Sequence, residues 1–288
     1  MSHCIVVRRP SLLACAPRNP RRHAPPAIPI ATPGVAVVAL LAIALTAAHA
    51  ADLPVKAPAP RLYDWGGCYA GVNAGAGAAG TDFTSAVGGG TDLSAADAAV
   101  VGTDGTGSAN ATAFLGGGQA GCNWQSATVV FGLEGDFDYF HGRPHFNNNT
   151  DTLSDGVTPF SVLQSLKADY FATLRPRIGI AADRNLAYIT GGAAFSNARY
   201  TQTYVDGATS PGAGSASGSK SLVGWAVGAG WEYAFADRWT FKLEYLFASF
   251  PTTSGLGAIA DTAGGTNPLH GSADLTIQTL RAGVNLKF

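Results

Sequence analysis

Apolar and polar residues alternate along most of the chain between Tyr63 and Phe288. In residues 280–288, Leu, Ala, Val, Leu and Phe occupy every second position, and Arg, Gly, Asn and Lys lie between them. Because successive side chains of a β-strand point to opposite faces, this pattern predicts a strand with one apolar face. The same alternation occurs in residues 129–139, 167–180, 223–235 and 239–247.

Weaker alternation at 66–79, 111–124 and 186–200 brings the number of predicted strands to eight. Short turns are predicted at 125–128, 182–185 and 236–238. Long connections rich in Gly, Ser, Thr, Asn and Asp are predicted at 80–110, 141–164, 201–220 and 251–273.

Short turns at one end and long loops at the other are typical of bacterial outer-membrane barrels. A soluble β-sandwich also alternates, but here large aromatic residues dominate one face of most strands. Trp124, Tyr139, Tyr233, Trp239 and Phe288 lie near strand ends, where an aromatic girdle is expected. We therefore predict an all-β fold, an eight-stranded antiparallel up-and-down transmembrane β-barrel spanning 63–288.

The first fifty residues differ from the rest. They hold five Arg and no Asp or Glu, and an apolar run at 34–47 leads to Ala-His-Ala at 48–50. This order predicts a cleaved signal peptide, residues 1–50, followed by a Pro-rich periplasmic linker, residues 51–62. Without the leader, Lys plus Arg falls from 18 to 13 while Asp plus Glu stays at 19. The anionic body argues against nucleic acid as a partner.

A Gly-rich stretch at 71–80 contains the G-x-G-x-x-G pattern of dinucleotide-binding turns. A dinucleotide-binding turn is followed directly by a helix, but residues 81–110 contain no apolar stripe with a 3.6-residue period. We interpret the glycines as small inward-facing positions of a strand, and we predict no cofactor.

Several motifs resemble those of a known family. ADLPVKAPAP followed by YDWGGCYAGVNAG, FLGGGQAGCNWQ with FGLEGDFDY, and VGWAVGAGWEYAF with TFKLEYLF are similar to segments of alphaproteobacterial porin-family outer-membrane proteins, often labelled outer-membrane immunogenic proteins. The resemblance implies an eight-stranded barrel in the outer membrane of a Gram-negative bacterium, with both termini periplasmic. It also implies that Phe288 resembles the signal read by the outer-membrane insertion machinery.

Expected partners are this machinery, outer-membrane lipid and lipopolysaccharide. Members of the family are described as structural, antigenic, channel-like or haem-binding, so the resemblance implies no single activity.

The lumen, meaning the interior of the predicted barrel, receives twelve charged side chains of both signs. The acids are Glu134, Asp136, Asp138, Asp169, Glu232 and Glu244, and the bases are Lys167, Arg175, Arg177, Lys242, Arg281 and Lys287. The hairpin at 236–238 places Glu232 opposite Lys242 as a cross-strand pair. Equal numbers of both signs favour a plugged, self-neutralising interior over an ion-selective pore.

Two further pairs are candidates for chemistry. Cys68 and Cys122 fall near one end of neighbouring strands, where they form either a disulfide or two lipid-facing thiols. His141 and His145 lie in a predicted loop, where they bind a metal or haem or are simply solvated. No metal site is predicted, because the acidic loop residues are too dispersed.

Catalytic motifs such as G-x-S-x-G, H-E-x-x-H and C-x-x-C are missing from the sequence. We therefore expect a structural surface barrel with a plugged lumen and four long extracellular loops, and not an enzyme. The alternatives are a small-solute channel and a receptor that binds haem or a host ligand through its loops.

Overall fold

The computed structural model describes residues 62–148 and 150–288. The predicted signal peptide, 1–50, and all but the last residue of the predicted linker, 51–62, lie outside the described residues.

Ten strands and one helix make up the described part of the chain. The strands are β1 (Gly67–Val87), β2 (Gly107–Ser126), β3 (Val129–Gly142), β4 (His145–Asn147), β5 (Asp151–Thr152), β6 (Pro159–Ala182), β7 (Asn185–Asp206), β8 (Gly212–Ala234), β9 (Trp239–Asp261) and β10 (Thr266–Lys287). The helix, α1, spans Ala95–Asp104.

The eight long strands close on themselves. Antiparallel neighbours follow the order β3-β2-β1-β10-β9-β8-β7-β6, and β3 also pairs with β6. The two short strands, β4 and β5, pair only with β6 at one end of this ring. The predicted count of eight therefore omitted two short strands, which lie within the predicted loop 141–164.

We call the end that holds Gly67, Lys287 and the short connections 127–128, 183–184 and 235–238 the terminal rim. The opposite end is the distal rim. All three connections lie where the sequence predicts turns.

The prediction of four long loops is wrong for two of them. Residues 201–220 belong mostly to β7 and β8, which are joined by only 207–211, and residues 251–273 belong mostly to β9 and β10, joined by 262–265. These strands contain 22 or 23 residues. At about 3.3 Å per residue they are roughly twice as long as the 9–11 residues that cross a bilayer.

Helix α1 was not expected from the sequence. Ser94 caps its N-terminus, because the Ser94 hydroxyl accepts a hydrogen bond from the Asp97 backbone nitrogen. The helix buries only Ala98 and Val101, so its apolar stripe is too short to stand out in the sequence. No helix in the described residues is long and apolar enough to cross a membrane.

An apolar belt surrounds the half of the barrel next to the terminal rim. Its outward side chains include Val72, Phe131, Ile178, Trp231 and Leu280, all of them exposed. Towards the distal rim the outward positions become polar, as at Ser165, Thr201, Ser217 and Ser272. The pattern also inverts over much of the distal half, where large apolar side chains such as Phe160, Leu166 and Tyr204 point inward.

A β-bulge in β6 contradicts the lumen assignment of two charged residues. Lys167 pairs with Arg199 of β7, and Phe171 pairs with Ser196. Between these two pairs β6 advances by four residues but β7 by only three. An extra residue in one strand reverses which positions face inward. Phe171 and Arg175 therefore face the lumen, whereas Lys167 and Asp169 lie on the outer face.

Candidate functional site

Nine of the twelve predicted lumen charges form one buried network in the half of the barrel next to the terminal rim. Each of these residues is less than a tenth exposed. They are Glu134, Asp136, Asp138, Arg175, Arg177, Glu232, Lys242, Glu244 and Arg281. The network contains five acids and four bases, whereas the prediction has six of each.

Arg281, on β10, connects three carboxylates. Its Nη2 atom lies 2.6 Å from Glu244 Oε2 and 2.9 Å from Asp136 Oδ2, and its Nη1 atom contacts Asp138. Gly75 lies directly opposite on β1, and a Cβ atom at Gly75 would approach Arg281 Cα to 2.7 Å. A glycine of the G-x-G-x-x-G stretch therefore gives Arg281 the space it needs.

Glu134 is a second centre of the network. Its Oε1 atom lies 2.7 Å from Lys242 Nζ and 3.1 Å from Arg175 Nη2, and its Oε2 atom accepts a hydrogen bond from the Tyr69 hydroxyl. Arg175 Nη2 also reaches Asp136 at 2.8 Å. Buried charges are tolerated only when they are paired and hydrogen-bonded in this way.

The predicted pairing of Glu232 with Lys242 is correct in register, but the two do not form an ion pair. They are directly opposite between β8 and β9. Lys242 instead contacts Glu134, and Glu232 lies 3.1 Å from Arg177 Nη1 on β6. The long side chains reach across the narrow lumen to other strands instead of pairing with their neighbours.

The three remaining predicted lumen charges lie elsewhere. Lys167 Nζ and Asp169 Oδ1 form a 2.9 Å ion pair with each other on the outer face. Lys287 lies at the terminal rim, where its ammonium group donates to the Asp64 carbonyl and lies over the Tyr63 ring.

An apolar layer that was not predicted from the sequence fills the lumen directly above the charges. Phe171 and Phe250 meet edge to face with ring centroids 6.5 Å apart. Phe83, Phe140 and Leu166 pack in the same cluster, each at most 1% exposed. Aromatic residues at inward-facing positions are the signal for this layer in the sequence, but the prediction assigns a polar face to the whole lumen.

The distal rim is filled by a second apolar cluster. It combines Val101 of α1 with Leu153 of the β3–β6 connection and with Phe160 and Tyr204 from the strands. Asp97 fastens α1 to this connection, because its carboxylate accepts hydrogen bonds from the Ser154 amide (2.9 Å) and hydroxyl (2.6 Å). Burial acts to raise the pKa of Asp97, but the hydrogen bonds from Ser154 and Ser94 outweigh it and lower the pKa.

The terminal rim is covered by the segment before β1. Trp65 is 3% exposed, and its backbone nitrogen donates to Gln125 Oε1 at 2.7 Å. Its indole nitrogen donates to the Asp183 carbonyl at 3.0 Å. Tyr63 packs against Trp65 with ring centroids 4.9 Å apart. This segment therefore lies across the lumen below the charged network.

Cys68 and Cys122 are directly opposite on β1 and β2, with Cα atoms 4.0 Å apart, and a disulfide joins them. Phe288 follows β10, and its backbone nitrogen donates to the Cys68 carbonyl at 3.0 Å. The disulfide thus lies at the terminal rim, next to the seam where β1 meets β10.

The two candidate ligand histidines lie in strands instead of a loop. His141 is in β3, with Nδ1 3.6 Å from Asp169 Oδ1, and His145 is in β4. Among residues 62–148 and 150–288 no three His, Cys, Asp or Glu side chains are grouped to hold a metal ion.

Comparisons with known proteins agree with this architecture. The family model "Outer membrane protein beta-barrel domain" matches residues 37–288. The 31 kDa outer-membrane immunogenic protein of Brucella melitensis is 32% identical over 264 residues, which cover 88% of this chain and 99% of that protein. The 25 kDa outer-membrane immunogenic protein of Brucella canis is 28% identical over 172 residues, covering 60% of this chain and 64% of that protein.

Among solved structures, OprG from Pseudomonas aeruginosa is 11% identical and covers 77% of this chain and 97% of its own, with a TM-score of 0.38. That score is too low to support an inference about the present chain. The family model and the Brucella relatives, by contrast, cover most of its length. The chain belongs to the family of outer-membrane β-barrel proteins.

Proposed function

We propose that this protein is a structural and surface-exposed barrel of the outer membrane whose lumen is closed to solutes. The proposal rests on three successive layers of side chains that fill the lumen. Trp65 covers the terminal rim, the charged network around Arg281 lies above it, and the layer around Phe171 follows. The eight long strands enclose an interior only wide enough for side chains.

In this proposal the terminal rim faces the periplasm and the distal rim faces the outside. The apolar belt supports this orientation, because it lies next to the short connections, as in bacterial barrels. The distal half of the strands then projects beyond the bilayer as a rigid extension capped by α1. The relatives are named immunogenic proteins, and we propose that this extension is the part exposed to antibodies.

The test is electrical conductance of the refolded protein in a planar lipid bilayer. Folding is first verified by the difference in gel migration between boiled and unboiled samples. We expect no discrete current steps from folded protein, because an ion would have to displace a paired charge of the network and then cross the apolar layer.

Discrete openings would contradict a closed lumen and favour the small-solute channel. Two matched variants then locate the path. Lys242→Gln changes a charge inside the lumen, and Lys220→Gln changes an exposed one on β8. A channel through the lumen changes its conductance only with Lys242→Gln.

A further inference from the structure

Basic side chains gather on one outer side of the barrel, just beyond the apolar belt. Arg143 follows β3, Lys167 lies on β6 and Arg199 on β7, three segments that neighbour each other around the ring. Arg143 and Arg199 are exposed, and the Lys167 side chain is 32% exposed. We call these three residues the basic patch.

The outward aromatic residues of the belt define the position of the basic patch relative to the membrane. On the same three strands the last outward aromatic side chains of the belt are Tyr139, Tyr170 and Phe195. Aromatic girdles mark the boundary between hydrocarbon and headgroups in membrane barrels. The basic patch begins within four residues of each of them, which places it at the level of the lipid headgroups.

Two of the charges oppose each other directly. Lys167 and Arg199 are cross-strand partners between β6 and β7, and like charges in this position are destabilising unless something neutralises them. Asp169 pairs with Lys167, and its other oxygen accepts from Asn197 Nδ2 at 3.0 Å. Within the described residues neither Arg143 nor Arg199 forms an ion pair with a carboxylate.

The opposite side of the barrel has the other sign at this height. Asp82 on β1 and Asp274 on β10 carry the outward charges there, and the Asp82 amide donates to the Asp274 carboxylate at 2.8 Å. An anionic ligand in the membrane plane would thus meet attraction on one side of the barrel and repulsion on the other. The outward residues beside the basic patch include the hydroxyl side chains of Ser165, Thr201 and Ser219, which suit contact with sugars.

We infer that Arg143, Lys167 and Arg199 bind the phosphate groups of lipopolysaccharide, the glycolipid whose headgroups lie at this level of the outer leaflet. Two guanidinium groups and one ammonium group form charge-assisted hydrogen bonds with phosphate oxygens, and the guanidinium fork matches phosphate geometry. The inference rests on the orientation proposed above, with the distal rim outside. It goes beyond the closed-barrel function, because it gives the barrel a preferred lipid on one side.

The test measures binding of purified, folded protein to lipopolysaccharide in detergent, with a fluorescent lipopolysaccharide probe. The variant Arg143→Gln/Lys167→Gln/Arg199→Gln removes the basic patch. Its matched control, Arg184→Gln/Arg238→Gln/Lys287→Gln, removes the same charge at the terminal rim. Each Lys or Arg near an anionic membrane surface contributes about fivefold, so we expect about a hundredfold weaker binding for the patch variant and little change for the control.

A dephosphorylated form of the same glycolipid serves as the second probe, and the protein should bind it as weakly as the patch variant binds the intact form. Equal loss in both triple variants, or equal affinity for both probes, would overturn the inference. Competition by millimolar inorganic phosphate alone, without a preference for the glycolipid, would also overturn it, because it indicates a general anion site. Conductance of the wild type is measured in parallel, since a conducting wild type refutes the closed lumen without affecting this result.

Discussion

Arg281 on β10 and Glu244 on β9 are cross-strand neighbours that also form an ion pair inside the barrel. Two nitrogen atoms of the Arg281 guanidinium reach the same Glu244 oxygen, at 2.6 and 2.9 Å, and both residues are 1% exposed. Arg281 also contacts Asp136 and Asp138, and Asp138 has no other ion-pair partner among the described residues, so removing Arg281 leaves the buried Asp138 carboxylate without a cation.

We predict that Arg281→Met destabilises the barrel by about 3–5 kcal/mol, the cost of leaving a buried charge unpaired. Urea unfolding in lipid vesicles, followed by Trp fluorescence, measures the effect. Arg199→Met, an equivalent change at an exposed position, is the control and should cost less than about 1 kcal/mol. Similar losses in both variants would show that the network does not stabilise the fold.

The sequence predicted the part of this site that lies in the belt, because apolar and polar residues alternate there without interruption. In the belt, apolar residues point out and polar ones in, so the alternation placed Glu232 opposite Lys242 and Arg281 inside. It did not predict which charges form ion pairs. That choice depends on side chains crossing the lumen, as Lys242 does to reach Glu134, and strand register does not determine it.

The distal half was not predicted, for a physical reason. In the proposed orientation the outer face beyond the belt meets water or sugar, which accounts for the inversion of the pattern: Leu166 points in while Lys167 points out. The bulge between Lys167 and Phe171 hides the inversion, because it shifts the alternation by one residue. The pattern with apolar residues on the outer face therefore ends at the belt. Beyond it, the sequence of the strands resembles that of polar loops.

The disulfide should stabilise the barrel measurably. Cys68 and Cys122 are separated by 54 positions in the sequence, and closing a loop of this length removes up to about 4 kcal/mol of chain entropy from the unfolded state. We predict that Cys68→Ser/Cys122→Ser lowers the urea midpoint of unfolding. Reductant should produce the same shift in the wild type and none in the double variant. A double variant as stable as the wild type would contradict the prediction.

The projection of the strands is testable by cysteine labelling. On β7, Thr203 is exposed and Gln202 is fully buried. In the proposed orientation, Thr203→Cys reacts with a membrane-impermeant maleimide added to intact cells, whereas Gln202→Cys does not. Phe195→Cys, in the apolar belt, is the lipid-facing control and stays unlabelled. Labelling of Gln202→Cys as fast as Thr203→Cys would mean that residues 201–206 belong to a long loop, as the sequence predicts for 201–220.

Acid should release α1 from the β3–β6 connection. The pKa of Asp97 is lowered in the folded protein, because hydrogen bonds from Ser154 and Ser94 outweigh the effect of burial. A lowered pKa means that the anchor is complete above the unfolded value of about 3.9 and is lost as the pH falls through the folded value below it. We expect the Ser154 amide to be protected from hydrogen exchange at pH 5 and to lose protection towards pH 2, after correction for intrinsic rates.

The variant Asp97→Asn separates this anchor from general acid effects. An amide side chain cannot become charged, so its weaker hydrogen bonds to Ser154 should give low protection at both pH values. The Phe160 amide, in a strand beside the anchor, serves as the internal reference and should stay protected in both proteins. If the Asn variant loses protection with falling pH as the wild type does, a different group controls the release of α1.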